Sequence, residues 1–306
     1  MKTRNRVALF IPYALLTAEN IPGQRRRVSS RTAVINLIKM KFKQLLADKT
    51  GLPENILPNS YQILGNILLL KLAGKALVHR NEIGSAILRN FPYVKSVCLQ
   101  KGVSGELRKP KIEVIAGKGT ETVHHELNCA FRLDVSKIMW SKGNHQERIR
   151  MISLVKKGET IIDMFAGIGY WSIPIAKHTK AKHIFAIEKN KVSFDYLQEN
   201  IRLNRISNIT PILGDCRNKI KDLPKADRII MGYFPDTIAF LPWAFKISQH
   251  GTVIHLHELG KSPLIVGSQI QKVAKSCKVK AKVTNVRIVK SYSATKNHFV
   301  FDISCV

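Results

Sequence analysis

Two glycines two positions apart, Gly167 and Gly169, stand in "DMFAGIGYW" (Asp163 to Trp171), between an apolar run and a helical pattern. A loop without side-chain bulk lets backbone approach a ligand closely. Glu188 closes the next apolar run, "HIFAIE", where a carboxylate can accept hydrogen bonds from both hydroxyls of a ribose. Asp215 follows a third run, "ITPILGD", placed to accept from an adenine amino group, with the Cys216 backbone amide as a donor. A lone G-x-G also serves simple tight turns. Three successive run ends carrying complementary groups describe a site for a nucleoside.

Such groups converge only if the runs are parallel strands, because ligands bind beyond the carboxyl ends of an open parallel sheet. From residue 158 onward the sequence alternates strand and helix with short loops, which predicts a sheet covered on both faces. The expected strands are "TIIDMF", "HIFAIE", "ITPILGD", "DRIIMGY" and "GTVIHLHEL", with helices beginning near Trp171, Lys191, Thr237 and Lys261. The end differs: "KAKVTNVRIVKSY" and "NHFVFDISCV" are joined by a short turn, predicting an antiparallel hairpin. A parallel sheet closed by a hairpin is a feature of S-adenosylmethionine-dependent transferase folds. NAD is the competitor, but after Gly169 come Tyr170, Trp171 and Ser172, so the third glycine of the dinucleotide fingerprint is missing. Large side chains at that turn suit a cofactor without phosphates, and S-adenosylmethionine is preferred.

The 306 residues carry 50 Lys+Arg against 21 Asp+Glu, a net charge of +29. The excess runs through both halves of the chain, so it is not a detachable tail. A chain this positive attracts phosphate backbones through counterion release, and a nucleic-acid partner is expected. Five scattered cysteines without a C-x-x-C pair suggest neither a zinc ribbon nor a disulfide framework, and a reducing cytoplasm fits. "MKTRNR" followed by "VALFIPYALLTA" imitates a signal peptide, but Pro12 interrupts it and "RRR" at 25–27 follows soon after. That segment is read as a buried strand or helix. No apolar run reaches 18 residues, so neither a membrane span nor a membrane partner is expected.

Upstream, Ser29 or Ser30 can cap a helix with Val34, Leu37, Ile38 and Leu45 at helical spacing. A strand-like "QILGNILLLKL", a helical "NEIGSAILRNF" and a β region through residue 130 then read as a small α+β domain. "SKIMWSKGNHQERIRMISLV" reads as a connector and helix. The expected organisation is an extension with a basic helix (1–54), the small domain (55–130), the connector helix (131–157) and a Rossmann-like catalytic domain (158–306). His255 and His257 share one strand face but lack a third ligand at suitable spacing, so they are read as ordinary polar positions near a sheet end; no metal is expected.

At this point two long segments resemble a known family: "TETVHHELNCAFRLDVSKIMWSKGNHQERIRM" and the "DMFAGIGY" that follows it. They are similar to an archaeal and eukaryotic tRNA-modifying group with two members, and the likeness runs from about residue 56 to the end. One member methylates N1 of the guanine next to the anticodon. The other is the wybutosine-pathway aminocarboxypropyltransferase, which acts on the tricyclic 4-demethylwyosine base built from that guanine in tRNA(Phe). The resemblance implies a class I methyltransferase fold with a mostly parallel seven-stranded sheet, and S-adenosylmethionine as co-substrate.

The two members differ after the fourth strand, where the methyltransferase has Asn-Leu-Pro. This chain has "MGYFPDT", Met231 to Thr237, with Gly232 in place of the asparagine, as in the aminocarboxypropyltransferase. "SKGNHQER", Ser141 to Arg148, resembles the transferase form too. By that resemblance Ser141, Arg148, Glu188 and the 215–216 pair contact the cofactor; Cys216 departs from a frequent asparagine. Asp163, Phe165, Gly167, Gly169, Lys189 and Gly232 are grouped with the cofactor side, and Trp171, Tyr233, Phe234 and Pro235 with the base. Trp171 and Phe234 have a second reading as packing. Asp236 is a candidate general base or a helix cap before Thr237, and His124–His125 are read as shaping the domain contact. Lys and Arg at 25–31, 39–43 and 108–111 are read as lining the tRNA path or as solvated faces. The expectation is a monomeric, cytoplasmic tRNA(Phe) aminocarboxypropyltransferase, with the guanine-N1 methyltransferase and a non-catalytic tRNA-binding protein as alternatives.

Overall fold

The computed structural model describes residues 41–105, 108–233 and 235–306. The expectations for the first 40 residues, including the basic cluster at 25–31, and for Phe234 lie outside them. Residues 41–60 belong to a separate compact unit, in which 41–50 are helical (α1). Everything below concerns the unit Tyr61–Val306.

The run expected as one strand is a hairpin, β1 (Tyr61–Leu64) and β2 (Ile67–Leu70), because Gly65 takes a left-handed conformation (φ 54°) and turns the chain. Helix α2 (Arg80–Asn90) then leads to β3 (Ser96–Ser104), parallel to β2, and β4 (Lys109–Gly117). The four strands form one sheet in sequence order. Gly102 sits at an irregularity inside β3. A second hairpin follows, β5 (Glu121–Glu126) and β6 (Cys129–Asp134), turning through Leu127 and Asn128, both at positive φ. The boundary expected at residue 130 falls inside β6.

Beyond helix α3 (His145–Leu154) come β7 (Thr160–Asp163), α4 (Ser172–His178), β8 (His183–Glu188), α5 (Lys191–Leu203), β9 (Ile209–Leu213) and α6 (Cys216–Lys219). Then follow β10 (Ala226–Met231), α7 (Leu241–Lys246), β11 (Ser248–Gly260), α8 (Pro263–Ser276), β12 (Ala281–Ser291) and β13 (Asn297–Cys305). The sheet order is β12-β13-β11-β10-β7-β8-β9. Five parallel strands are closed by the expected hairpin, but the last strand inserts between β11 and β12 and runs antiparallel to both. The order reverses at β7, which places the "DMFAGIGYW" loop at the crevice. This is the Rossmann-like methyltransferase fold. Among the described residues no helix is long and apolar enough to cross a membrane.

Two asparagines one turn apart, Asn200 on α5 and Asn204 at its C-cap, join the small hairpin to this sheet. Asn200 Oδ1 accepts from the Arg132 amide at 2.7 Å and its Nδ2 donates to the Arg132 carbonyl at 3.2 Å. Asn204 repeats the pattern on Ala130, at 2.9 and 2.6 Å. Positions i and i+4 of a helix thus meet positions i and i+2 of a strand, and the two amides stand in for a missing neighbouring strand.

The histidines read as ordinary polar positions are buried in the sheet. The Arg228 guanidinium forks onto Glu159 at 2.7 and 2.8 Å and donates to His255 Nε2 at 2.6 Å. That leaves His255 Nδ1 as the hydrogen-bearing nitrogen, donating to Asp302 at 2.6 Å. Asp302 also takes both ends of Arg150, which in turn grips Glu147. This chain of charges fastens α3 to the sheet.

Asn200 is fully buried, so Asn200→Ala strips the β6 backbone of partners it cannot replace with water. A loss of about 1–3 kcal/mol is expected in urea denaturation; a loss well under 0.5 kcal/mol would show that the asparagine ladder does not hold the hairpin.

Candidate active site

A cavity of ≈ 200 Å³ opens at the carboxyl ends of β7, β8, β9 and β10. The glycine loop enters it first. Gly167 (φ 58°) and Gly169 (φ 98°) both hold left-handed backbone, but they do different things. Gly167 lines the cavity, and its amide donates to Glu188 Oε2 at 2.7 Å. Gly169 lies outside the lining; a Cβ there would collide with Ile173 on α4, so this glycine allows helix packing. Asp163 is likewise interior. It is fully buried and accepts from the Ser172 hydroxyl at 2.6 Å and the Phe165 amide at 3.3 Å. Burial pushes its carboxyl up to about 7, against the pull of those bonds.

Glu188 faces the cavity with both oxygens already engaged once, Oε2 by Gly167 and Oε1 by the Asn190 amide at 2.6 Å. Each oxygen keeps a second lone pair, so the carboxylate can still receive a vicinal diol. Burial raises its pKa, opposed by the amides of Asn190, Gly167 and Lys189. Asp215 caps α6 and is gripped by Arg217 at 2.6 and 2.9 Å, with Lys189 at 3.6 Å. Hydrogen bonding from Arg217 is the main cause that lowers its pKa to about 2. Cys216 is buried, and burial pushes its thiol up to about 12, so the thiol stays protonated near pH 7.

One wall is aromatic. Phe165 stacks on Tyr233 with centroids 5.1 Å apart and meets the edge of Phe240 at 5.0 Å; Arg217 lies over Phe240. Trp171 is buried at 3% exposure, packed against His257, and a Cβ on Gly232 would run into its indole nitrogen. The indole therefore fills the space that a side chain at 232 would need. Tyr233 and Gly232 line the cavity, while Pro235 and Asp236 are exposed beyond it. Asp236 stands in the capping position before Thr237 at φ 63°, but its side chain makes no cap bond. Glu258 of β11 does the anchoring instead, accepting from the Ile238 amide at 2.8 Å.

The opposite end is cationic. Ser141, Asn144, Arg148 and Arg108 line it; Lys109 and Lys111 are exposed on β4. Arg148 is 2% exposed, forks onto Glu126 of β5 at 2.5 and 3.1 Å, and lies over Trp140 at 5.1 Å. Its Nη1 has no partner among the described residues. His124 packs edge-on against the same indole at 4.7 Å and accepts from the Gly65 amide, joining the two small sheets; burial lowers it to about 4, so it is neutral near pH 7. Tyr170 completes the cluster, its hydroxyl donating to the Met139 carbonyl.

Ser141, Arg148, Phe165, Gly167, Trp171, Glu188, Lys189, Asp215, Cys216, Gly232 and Tyr233 thus share one cavity. Missed by sequence reasoning were Glu126, Asn190, Phe240 and Glu258. Glu126 carried no signal in the sequence, because the burial of Arg148 that calls for a carboxylate is visible only in the fold.

Comparison with known proteins matches the TRM5/TYW2 methyltransferase domain to residues 122–288 and the TYW2 N-terminal domain to residues 42–120. The tRNA(Phe) (4-demethylwyosine(37)-C(7)) aminocarboxypropyltransferase of Methanocaldococcus jannaschii is 39% identical over 79% of this chain and 96% of that protein. The tRNA (guanine(37)-N(1))-methyltransferase Trm5b of Pyrococcus abyssi is 36% identical over 81% and 76%. A crystal structure of P. horikoshii TYW2 in complex with MeSAdo superposes with TM-score 0.75 at 32% identity, covering 88% of this chain and 99% of that one.

Glu126 makes the cationic end sensitive to acid. Burial raises its pKa, but His145 and Arg148 pull it from 4.5 to about 2. A carboxylate depressed by folding contributes stability that is present above the unfolded value and lost as pH falls through the folded one. Stability should therefore decline between about pH 4.5 and 2, and Glu126→Gln should flatten that decline in a pH series of urea melts. An unaltered slope would remove Glu126 from the cause.

Proposed function

The chain belongs to the TRM5/TYW2 family, and from that premise we propose that it transfers the 3-amino-3-carboxypropyl group of S-adenosylmethionine to the 4-demethylwyosine base of tRNA(Phe). The observation that carries the reading is the match to both halves of the aminocarboxypropyltransferase, with Gly232 rather than asparagine at the cavity wall. The methyl donor and the aminocarboxypropyl donor are the same molecule. Its sulfonium bears three carbons, and the enzyme selects one by presenting it in line with the nucleophile and the departing sulfur. Here the γ-carbon–sulfur bond breaks as a carbon–carbon bond forms to the base ring, methylthioadenosine leaves, and the attacked ring carbon releases its proton.

Each end of the cavity suits one part of that molecule. Glu188 receives the ribose hydroxyls, Asp215 the adenine amino group, and the Cys216 amide an adenine ring nitrogen. Phe165 and Phe240 supply apolar surface against the adenine, and Gly167 keeps the loop low. Arg148 and Ser141 hold the carboxylate of the methionine arm. Asp163 and Gly169 act one step back, fixing the loop from within. Trp171 backs the space left by Gly232, and Tyr233 and Pro235 belong to the loop that meets the base. Asp236, exposed near that loop, is the proposed acceptor for the ring proton. The five cysteines are all free thiols, which suits a cytoplasmic enzyme.

Two measurements test this reading. With tRNA carrying the tricyclic base, carboxyl-labelled S-adenosylmethionine should label the RNA and methyl label should leave with methylthioadenosine. Methyl label in the RNA, with S-adenosylhomocysteine as by-product, would instead make the chain a methyltransferase. For the nucleoside end, Glu188→Ala should weaken binding of both S-adenosylmethionine and methylthioadenosine by roughly 1.5–3 kcal/mol in calorimetry; unchanged affinity in a folded variant would refute the ribose assignment.

A further inference from the structure

Lys290 lies on β12, about 150 positions after the segment it touches, and neither the motifs nor the cavity lining includes it. Its ammonium donates to Ser141 Oγ at 2.7 Å and to Asn144 Oδ1 at 3.3 Å. Both of these side chains line the cationic end of the cavity. The aliphatic stem of Lys290 crosses directly over Gly143; a Cβ there would stand 2.7 Å from its Cδ. The "SKGN" segment is therefore a saddle for one lysine: a hydroxyl and an amide on either side, and a glycine beneath the stem.

A lysine ammonium has three hydrogens and no lone pair, so whatever bonds to it must accept. Ser141 Oγ accepts from Lys290, which leaves the serine O–H to be donated elsewhere. Asn144 gives Oδ1 to Lys290, which fixes the orientation of its amide and leaves the NH₂ as the free half. Arg148 adds Nη1, a third donor. The end of the cavity thus offers donors and positive charge. A carboxylate, which can only accept, is the group that fits such a set. A primary ammonium is disfavoured by the same three residues. Burial, with Arg108 and Arg148 nearby, lowers the Lys290 pKa from its usual value, as expected for a cation placed among cations to await an anion.

We propose that Lys290 is a positioning residue for the carboxylate of the transferred arm, holding Ser141 and Asn144 in the donor state that receives it. The inference rests on the reading of S-adenosylmethionine as the ligand, and it extends that reading to a strand outside the nucleoside-binding loops. It also accounts for the glycine of the "SKGN" segment, which the cofactor contacts alone leave unexplained.

The test compares three ligands by calorimetry without tRNA. S-adenosylmethionine and S-adenosylhomocysteine carry the carboxylate; methylthioadenosine has the nucleoside and sulfur without it. Lys290→Met should weaken the first two by roughly ten- to a hundredfold and leave methylthioadenosine within about twofold. Intact methylthioadenosine binding also reports that the variant is folded. Gly143→Ala, which removes no charge and only unseats the lysine stem, should give a smaller loss with the same ligand selectivity. Lys290→Arg, which keeps a donor-only cation, should recover part of the loss. Equal weakening of all three ligands, or no weakening of any, would overturn the proposal. Because no RNA is present, the outcome is independent of which group is transferred, so a failed label experiment and a failed Lys290 assignment are told apart.

Discussion

A guanidinium buried to 2% exposure must be neutralised where it sits, and Arg148 sets that condition for much of the molecule. Its carboxylate comes from β5, its aromatic cover from Trp140 in the connector, and its own backbone from α3. The three must therefore meet at one place. Trp140 is in turn enclosed by His124, Phe131 and Tyr170, so the hairpin and the glycine loop of the large sheet are fixed against the same indole. Polar satisfaction of one side chain brings the cationic end of the cavity into register with the end lined by Gly167 and Glu188.

The sheet then has to hold α3 firmly, because Arg148 is only as well placed as its helix. Arg150, two positions on, reaches the sheet and forks onto Asp302 of β13, with Glu147 beside it. Asp302 extends the chain through His255 to Arg228 and Glu159. Such buried ions stabilise little in net terms, since each was costly to desolvate. What they give is a fixed geometry: removing any partner leaves a buried charge uncompensated, so alternative positions of α3 are expensive. A transferase that chooses between carbons of one sulfonium needs orientation more than affinity, and this is a structure that restricts orientation.

The parts legible in the sequence are those whose signal is local. Glu188 and Asp215 end apolar runs, and a parallel sheet brings such ends together by topology alone. The terminal hairpin was legible for the same reason, although its insertion between β11 and β12 was not, since pairing order leaves no trace in periodicity. Gly169 shows the limit of motif reading. It shares a motif with Gly167, yet one lines the cavity and the other makes room for Ile173, and only packing distinguishes them. His255 and His257 read as ordinary polar positions near a sheet end, because alternation fails in a sheet buried on both faces. Glu126 and Glu258 act on amides or charges far away in sequence, where spacing carries no information.

The loop after β10 brings these threads together. Its leading residue, Gly232, has no side chain because the Trp171 indole already occupies that volume, and Trp171 is held by its contact with His257. Its trailing end is tied by Glu258, which takes the Ile238 amide, and by the Thr237 hydroxyl donating to the Tyr233 carbonyl. Tyr233 is stacked on Phe165 between the two. The loop is thus fixed at both ends by β11 or by the glycine-loop helix. A bulkier residue at 232 would have to displace a buried indole, and with it the contact to β11. The difference between this loop and one carrying asparagine is consequently not a single substitution. In this chain positions 171, 232 and 257 are packed as one unit, so an asparagine side chain at 232 would require its neighbours to move as well.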